Sequence, residues 1–574
     1  MNIFKQYLNT IKDLITKNAK KLELVNINAL SGITIEIPPD KFDYDLSCNV
    51  AMVLAKTNKK NPELLAKSMK DLLLNNVKSF SKVDIAKPGF LNINISKEAL
   101  SQLINKIIKE KKNYGSNLKD DKYNLEFVSA NPTGPMHVGH CRGAVFGDVL
   151  ANLLIFNGNK VTKEYYVNDH GNQITNFVQS VFLRLREIKF NEKFKNKKDL
   201  YPGEYIVDIA KKIIKTKPKI NLGNLDDIYD DLHKLSITFS LDMIKNDLKK
   251  LGIIHDIFVF ESELIKNKIV EKAVNKLKDR DYVVEGYLEA PKGEKDKNWK
   301  KIKRLIFKSS VFGDDTDRAL QKNDGSWTYF ASDVGYHSFK ISRKFNSLIN
   351  ILGADHTGYI KRINAAVKAL TENKATLNCK VCQLVKLYKK GKPYKMSKRS
   401  GDFISVKDLL GEVDKDSIRF MMLSRSNDVE LDFDFSKVLE KNKDNQVFYI
   451  QYCYARINSL FRNLKLNLNN TFEVDAKNFN LNIYERKILR KIFDWSKTVD
   501  LASLKQEPHR ITFYLYDLAT LFHSYWSKGN DNEEFKFVKD SKIKNLNSLI
   551  IIQLVAIVIE NGMKILGVSL PIKM

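Results

Sequence analysis

The stretch from Tyr123 to Gly158, YNLEFVSANPTGPMHVGHCRGAVFGDVLANLLIFNG, constrains this chain more than any other. A short apolar run, Leu125-Glu126-Phe127-Val128, breaks at Asn131-Pro132 and Gly134-Pro135. A helical periodicity then runs through Val145, Val149, Leu153 and Phe156 to Gly158. The pattern predicts strand, tight loop, helix. His137 and His140 sit at the join, so two imidazoles flank a helix start whose free amides and dipole favour an anion, phosphate above all. An HxxH spacing is common by chance, and a histidine pair at a helix start serves ordinary hydrogen bonding or metal binding as readily. A second segment, Lys395-Met396-Ser397-Lys398-Arg399-Ser400-Gly401, places three cations and two hydroxyls in one loop. Alone, a lysine cluster in a lysine-rich chain is a solvated face; with the histidine pair, it points to a nucleotide.

At these residues the sequence resembles the class I aminoacyl-tRNA synthetases, whose two nucleotide signatures are HIGH and KMSKS. Here they read His137-Val138-Gly139-His140 and Lys395-Met396-Ser397-Lys398-Arg399, in the order and strand-loop-helix context of the class. More specifically, Glu126-Phe127-Val128-Ser129-Ala130-Asn131-Pro132-Thr133-Gly134 resembles the arginyl-tRNA synthetase approach to the first signature. So do Tyr166-Val167-Asn168-Asp169-His170-Gly171-Asn172-Gln173, Gly353-Ala354-Asp355-His356 and the closing Leu566-Gly567-Val568-Ser569-Leu570-Pro571.

The resemblance implies an ATP site built from Gly134, His137, Gly139, His140, Asp355, His356, Lys395, Met396, Ser397 and Lys398, with His137, His140, Lys395 and Lys398 as the catalytic groups. The histidines would hold phosphate oxygens and the lysines would close over the leaving pyrophosphate. Many arginyl enzymes lack the first lysine of KMSK; this chain keeps Lys395. It further implies arginine contacts at Glu126, Asn131, Asp169, Gln173, Tyr329 and Asp333. A carboxylate inside an apolar strand, as at Glu126, needs either a protein cation or a cationic ligand. A planar guanidinium offers five donors in a fixed fork that converging carboxylates can accept in pairs. Wrong substrates would leave those acceptors unpaired, so a separate editing site is not required. Read without the resemblance, Glu126 and Asp333 are better taken as helix-cap or salt-bridge residues. The implied partners are L-arginine, tRNA(Arg) and ATP, with Mg2+ on the ATP phosphates as substrate, no zinc, and a monomer.

The chain has 574 residues, 43% of them apolar and 10% aromatic, which is ample for several packed cores. Its net charge of +28 suits a polyanionic partner such as nucleic acid, although a general Lys, Asn and Ile bias contributes to it. The five cysteines, Cys48, Cys141, Cys379, Cys382 and Cys453, are too scattered for a disulfide framework, which favours the cytoplasm. Cys379-Lys380-Val381-Cys382 has no second ligand pair at zinc spacing and reads as two structural thiols. The N-terminal helix, Ile3 to Ile15, is amphipathic and lacks a signal-peptide core. Leu549 to Ile559 is apolar apart from Gln553 but reads as too short to span a bilayer, so no membrane association is expected.

Three domains are expected. Residues 1–115 form an α+β module whose Asp45-Leu46-Ser47-Cys48-Asn49 and Pro88-Gly89-Phe90-Leu91-Asn92-Ile93 resemble the additional N-terminal domain that contacts tRNA in arginyl-tRNA synthetases. That family usually has Gly before the Asp, whereas Tyr44 stands here. Residues 116–410 form a doubly wound parallel sheet with strands at 123–130 and 348–353, interrupted by a charged insertion over 183–300. Residues 411–574 form an all-helical tail resembling the anticodon-binding domain, where Tyr454, Arg456 and Trp526 are candidate tRNA contacts. A cysteinyl enzyme would need zinc-ligand cysteines, a small nucleotidyltransferase would be far shorter, and an inactive descendant would have eroded its lysines or acidic pocket.

Overall fold

A strand with neighbours on both edges and helices on both faces has no solvent side, so its sequence is apolar at consecutive positions rather than alternating. Leu348 and Ile349 are wholly buried and Ile351 nearly so. The computed structural model describes residues 2–39, 41–288, 302–345, 347–394, 404–540 and 542–574. It contains a five-stranded sheet of β1 (Lys122–Glu126), β2 (Lys160–Val167), β3 (Ile257–Phe260), β4 (Ser347–Gly353) and β5 (Thr376–Cys382). All pairings are parallel and the order is β5-β4-β1-β2-β3. The order reverses between β1 and β4, which opens a ligand crevice at the carboxyl ends of those two strands. Helices α1 (Val138–Phe156), α2 (Asn172–Phe190), α3 (Tyr329–Ser342) and α4 (Ile360–Thr371) connect and cover the strands.

The expected strand over 123–130 ends early, at Glu126, because Val128 and Ser129 take φ values of 71° and 40°. A β-branched residue in the left-handed region is rare and persists only where its surroundings hold it. Here Tyr165 donates its hydroxyl proton to the Ala130 carbonyl at 2.7 Å, and the Tyr166 amide donates to Ser129 Oγ at 3.0 Å. After this bend α1 enters the core. A Cβ on Gly147 would come within 2.3 Å of the Phe127 ring, so the helix can pass the strand end only with glycine there. The next residue, buried Asp148, accepts from Lys163 of β2 at 2.8 Å and from Arg419 at 2.6 Å.

The chain divides into two compact units. One comprises residues 119–155 and 159–440 and carries the parallel sheet; the other comprises residues 1–118, 156–158 and 441–574. The helical tail expected from 411 therefore begins later. The helix Lys415–Met421 delivers Arg419 to Asp148, and the strand Leu431–Asp434 pairs in parallel with Val385–Lys389, so both belong to the sheet-bearing unit. The expected insertion likewise contains a sheet strand, since Ile257–Phe260 pairs with Glu164–Val167. Four consecutive apolar residues carry no periodicity that would mark them as an edge strand. Residues 289–301, the core of the charged run, lie outside the described residues.

In the second unit, the strands Ile35–Glu36, Leu46–Cys48, Phe90–Ile95 and Phe80–Ala86 form an antiparallel sheet in that order. Tyr44, in the usual glycine position, donates its hydroxyl proton to Asp84 at 2.6 Å. Asp45 beside it is buried, accepts from the Ile95 amide at 2.9 Å, and lies 3.4 Å from Arg490 Nε. The helices Ile3–Lys17, Val50–Asn58, Pro62–Asn76, Lys97–Glu110, Gln446–Asn463, Ile483–Lys505, His509–Asp531 and Leu546–Leu566 supply buried apolar residues, with a small hairpin at Val538–Lys539 and Lys542–Ile543. The last helix has 21 residues and is long and apolar enough to cross a membrane, so the length argument against spanning fails. Packing accounts for its composition instead: 89% of its apolar window is buried inside the protein.

Asp148→Ala should remove the buried carboxylate that two cations share, one of them Arg419, 1% exposed. Equilibrium urea unfolding of the sheet-bearing unit is expected to show a loss of about 3–5 kcal/mol.

Candidate active site

At the carboxyl ends of β1 and β4 lies a cavity of about 650 Å³. Its inner wall carries Glu126, Glu261 and Asp333, and its outer end carries His137, Gly139, His140, Asp355 and His356. Each carboxylate arrives by a different element. Glu126 is the last residue of β1, Glu261 follows β3, and Asp333 lies in the first turns of α3. The α3 start is capped by Thr328, whose Oγ1 accepts from the Ala331 amide at 3.2 Å.

The carboxylates feel one another. Burial, reinforced by Glu126 and Glu261, pushes Asp333 up to about 7 despite a 2.5 Å hydrogen bond from the Tyr359 hydroxyl. Burial also raises Glu261. Glu126 accepts from Ser129 Oγ at 3.0 Å, so the left-handed bend returns the chain onto its own carboxylate. Cations fit this end of the cavity and anions do not.

The other end has the opposite character. The His137 and His140 rings stack with centroids 3.6 Å apart, and the His137 amide reaches His140 Nδ1 at 3.4 Å. Burial lowers His137; burial and then His137 push His140 down to about 4, with Asp355 opposing. Both imidazoles are therefore neutral at pH 7. A Cβ on Gly139 would come within 2.9 Å of the His137 ring, so glycine keeps this wall open. The resulting cavity offers a cation-selective end joined to an imidazole-lined end at a helix start, the polarity an amino acid with a basic side chain and a nucleotide phosphate would need.

Known families match the chain along most of its length. The family described as tRNA synthetases class I (R), catalytic domain, matches residues 103–459; the arginyl tRNA synthetase N-terminal domain matches 9–95 and the DALR anticodon-binding domain 450–574. The chain is 52% identical over 577 residues to a protein named arginine–tRNA ligase from Pelagibacter ubique, with 100% of both covered. It is 43% identical to one from Ehrlichia ruminantium, with 97% of both covered. The chain belongs to the arginyl-tRNA synthetase family. The Thermus thermophilus arginyl-tRNA synthetase structure shares the fold at a TM-score of 0.72 and 19% identity, covering 99% of this chain and 100% of that one.

Within this family member, the residues read from the sequence divide by position. Glu126, Asn131, Tyr329, Asp333, His137, Gly139, His140, Asp355 and His356 line the cavity. Tyr329 stands at the mouth, 68% exposed. Gln173 does not line it but accepts at 2.7 Å from Asn131 Nδ2. Asp169 is turned away: its carboxylate accepts from the Ser262 amide at 2.9 Å and the Ser262 hydroxyl at 2.6 Å, which fixes the helix start carrying Glu261. Gly134 packs under the Tyr205 ring, 3.1 Å from where its Cβ would be, rather than facing the cavity. Lys395, Met396, Ser397 and Lys398 lie outside the described residues.

Sequence reading missed Glu261, Lys340 and Asn350. Glu261 had a usable signal, a carboxylate directly after the apolar run Ile257–Phe260. Among the described residues, no group of three or more His, Cys, Asp or Glu is placed to hold a metal ion. All five cysteines are free thiols.

In the other unit, Arg456 and Trp526 line a cavity of about 500 Å³ with Tyr452, Lys536 and Phe537. The Arg456 guanidinium lies 4.2 Å from the Tyr452 ring centroid and 5.3 Å from that of Trp526. Tyr454, two residues from Tyr452, does not line it and is half-buried near Glu560. On a helix such neighbours point to different sides.

A triphosphate beside His137 and His140 should raise their lowered pKa values, so ATP binding takes up protons and strengthens as pH falls from 7 to 5.5. Titration calorimetry in buffers of different ionisation heat, with tRNA present, is expected to show greater uptake in the wild type than in His140→Asn.

Proposed function

We propose that this chain activates L-arginine with ATP, releasing pyrophosphate, and transfers the arginyl group to the terminal ribose of tRNA(Arg). The observation that carries the reading is the convergence of Glu126, Glu261 and Asp333 on one end of a cavity whose other end holds the histidine pair. A guanidinium supplies the forked donors those acceptors need, and the amino acid's carboxylate is then directed toward the nucleotide end.

In the reaction the arginine carboxylate attacks the α-phosphorus and pyrophosphate departs; the tRNA hydroxyl then attacks the adenylate carbonyl and AMP leaves. Positioning and stabilisation of spreading negative charge do most of the work in such a displacement. His137 and His140 hold phosphate oxygens, Asp355 and His356 lie by the adenylate, and Asn131, tied to Gln173, orients the amino acid. Lys395 and Lys398, with Met396 and Ser397, close on the phosphates from the second signature. Mg2+ enters with ATP as substrate.

The Arg456–Trp526 cavity, with aromatic faces beside a guanidinium, suits an unpaired base of tRNA(Arg), and residues 1–115 and the helical tail serve as tRNA-contacting domains, while the sheet-bearing unit carries catalysis. The reading includes a monomer, and five scattered cysteines suit a cytoplasmic setting.

Pyrophosphate exchange into ATP is expected with arginine plus tRNA(Arg), and not with cysteine or glutamate; robust exchange with either of those would overturn the reading. Asp333→Ala should raise the KM for arginine by about a hundredfold or more while changing that for ATP far less. Because Asp333 sits at about 7, it gains its charge as pH rises through neutrality. The KM for arginine should therefore fall about tenfold from pH 6 to pH 8, a dependence that Asp333→Asn abolishes.

A further inference from the structure

The three carboxylates of the pocket are not equivalent. Among the described residues, Glu126 is the one of the three with an ion-pair partner, Lys340, which extends from α3 with its side chain 0% exposed. Lys340 Nζ donates to Glu126 Oε2, donates at 3.0 Å to Asn350 Oδ1, and stands 4.4 Å from the centroid of the Tyr336 ring. Asn350 is itself locked, because its Nδ2 donates at 3.1 Å to His337 Nε2. His337 Nδ1–H in turn donates at 2.9 Å to the Asp333 carbonyl. Burial and the nearby lysine push His337 down to about 3, so it stays neutral and both ring nitrogens have settled roles.

Strand register explains why the lysine meets this carboxylate. Glu126 of β1 is paired with Asn350 of β4 on one side and with Glu164 of β2 on the other, so the three side chains project from the same face at one level. Glu164 has its own cation, Arg343 at 2.7 Å, and accepts the Tyr336 hydroxyl at 2.7 Å. Lys340 is thus committed to the carboxylate that also lines the cavity. Three like charges in a desolvated space would drive one another to protonate. With Glu126 matched from beneath, Glu261 and Asp333 remain to be answered by a cation or a proton.

We propose that Lys340 is a positioning residue for amino-acid specificity: it orients the Glu126 carboxylate from behind and sets the charge that the pocket asks of its ligand. This rests on the reading of the cavity as the arginine site. Lys340 touches no ligand in this role and acts through Glu126.

The test is a double-mutant cycle read as KM for arginine, KM for ATP and kcat in tRNA-dependent pyrophosphate exchange. The variants are Glu126→Gln, Lys340→Met, the double variant and Lys340→Arg. Lys340→Met is expected to raise the KM for arginine about tenfold or more, with that for ATP within about threefold. The double variant should be no worse than Glu126→Gln alone, since removing both charges leaves nothing buried and unmatched. Lys340→Arg, which keeps the charge, should recover most of the arginine affinity. The proposal is overturned if Lys340→Met raises both KM values equally, or if the two single penalties multiply in the double variant. Should Lys340→Met fail to fold, the comparison of the double variant and Lys340→Arg with Glu126→Gln decides it: a double variant much weaker for arginine than Glu126→Gln, or an arginine KM in Lys340→Arg as high as in Glu126→Gln, overturns the proposal. If Glu126→Gln itself leaves the KM for arginine unchanged, the fault lies with the pocket reading instead.

Discussion

Carboxylates brought together out of water repel one another, and the space they enclose is stable only when cations or protons relieve that repulsion. Much of the sheet-bearing unit serves this one constraint. Strand register brings Glu126 between Asn350 and Glu164, each with a neighbour to answer it. Asp169 holds the helix start that carries Glu261, and Tyr359 steadies Asp333. The left-handed residues Val128 and Ser129 turn the chain sharply after Glu126, so that the strand stops where the cavity begins and Ser129 donates back to the carboxylate.

The histidine end works by the reverse logic. His137 and His140 are kept neutral by burial, so an arriving polyanion meets no fixed repulsion or attraction from them until it changes their protonation. The fixed favourable contribution comes from the helix start itself. On the proposed reading, two ends of opposite electrostatic character within one cavity would orient an amino acid without any covalent help, which is what an adenylate-forming reaction requires. Rigidity beneath them comes from Asp148, which ties α1 to β2 and to the helix Lys415–Met421.

The second unit gathers the two ends of the chain. Asp45 of the N-terminal part and Arg490 of the helical part meet in its interior, and the helix Leu546–Leu566 is apolar on every side because it is enclosed on every side. Burial of 89% of its apolar window explains why its composition mimics a membrane span. Burial in protein and burial in lipid select the same residues, and only the surrounding packing tells them apart.

The local elements at the active site were legible because their signals are local. A turn at Asn131-Pro132, a helix periodicity through Val145 and Val149, and a histidine pair between them require only near neighbours to read. The sequence by itself thus determined the strand-loop-helix unit, the family, and the carboxylates Glu126 and Asp333 as a candidate pair. Tertiary structure alone decided that Glu261 joins them, that Asp169 faces away, that Gly134 lies under Tyr205, and that Arg456 and Trp526 share a cavity without Tyr454. It also decided that Lys340, 214 residues from Glu126 in the chain, is the cation a carboxylate in an apolar strand must have. A carboxylate's need for a partner follows from its burial, which the apolar run announces; which partner answers it depends on strand order and register, and those are set by contacts between segments far apart in the chain.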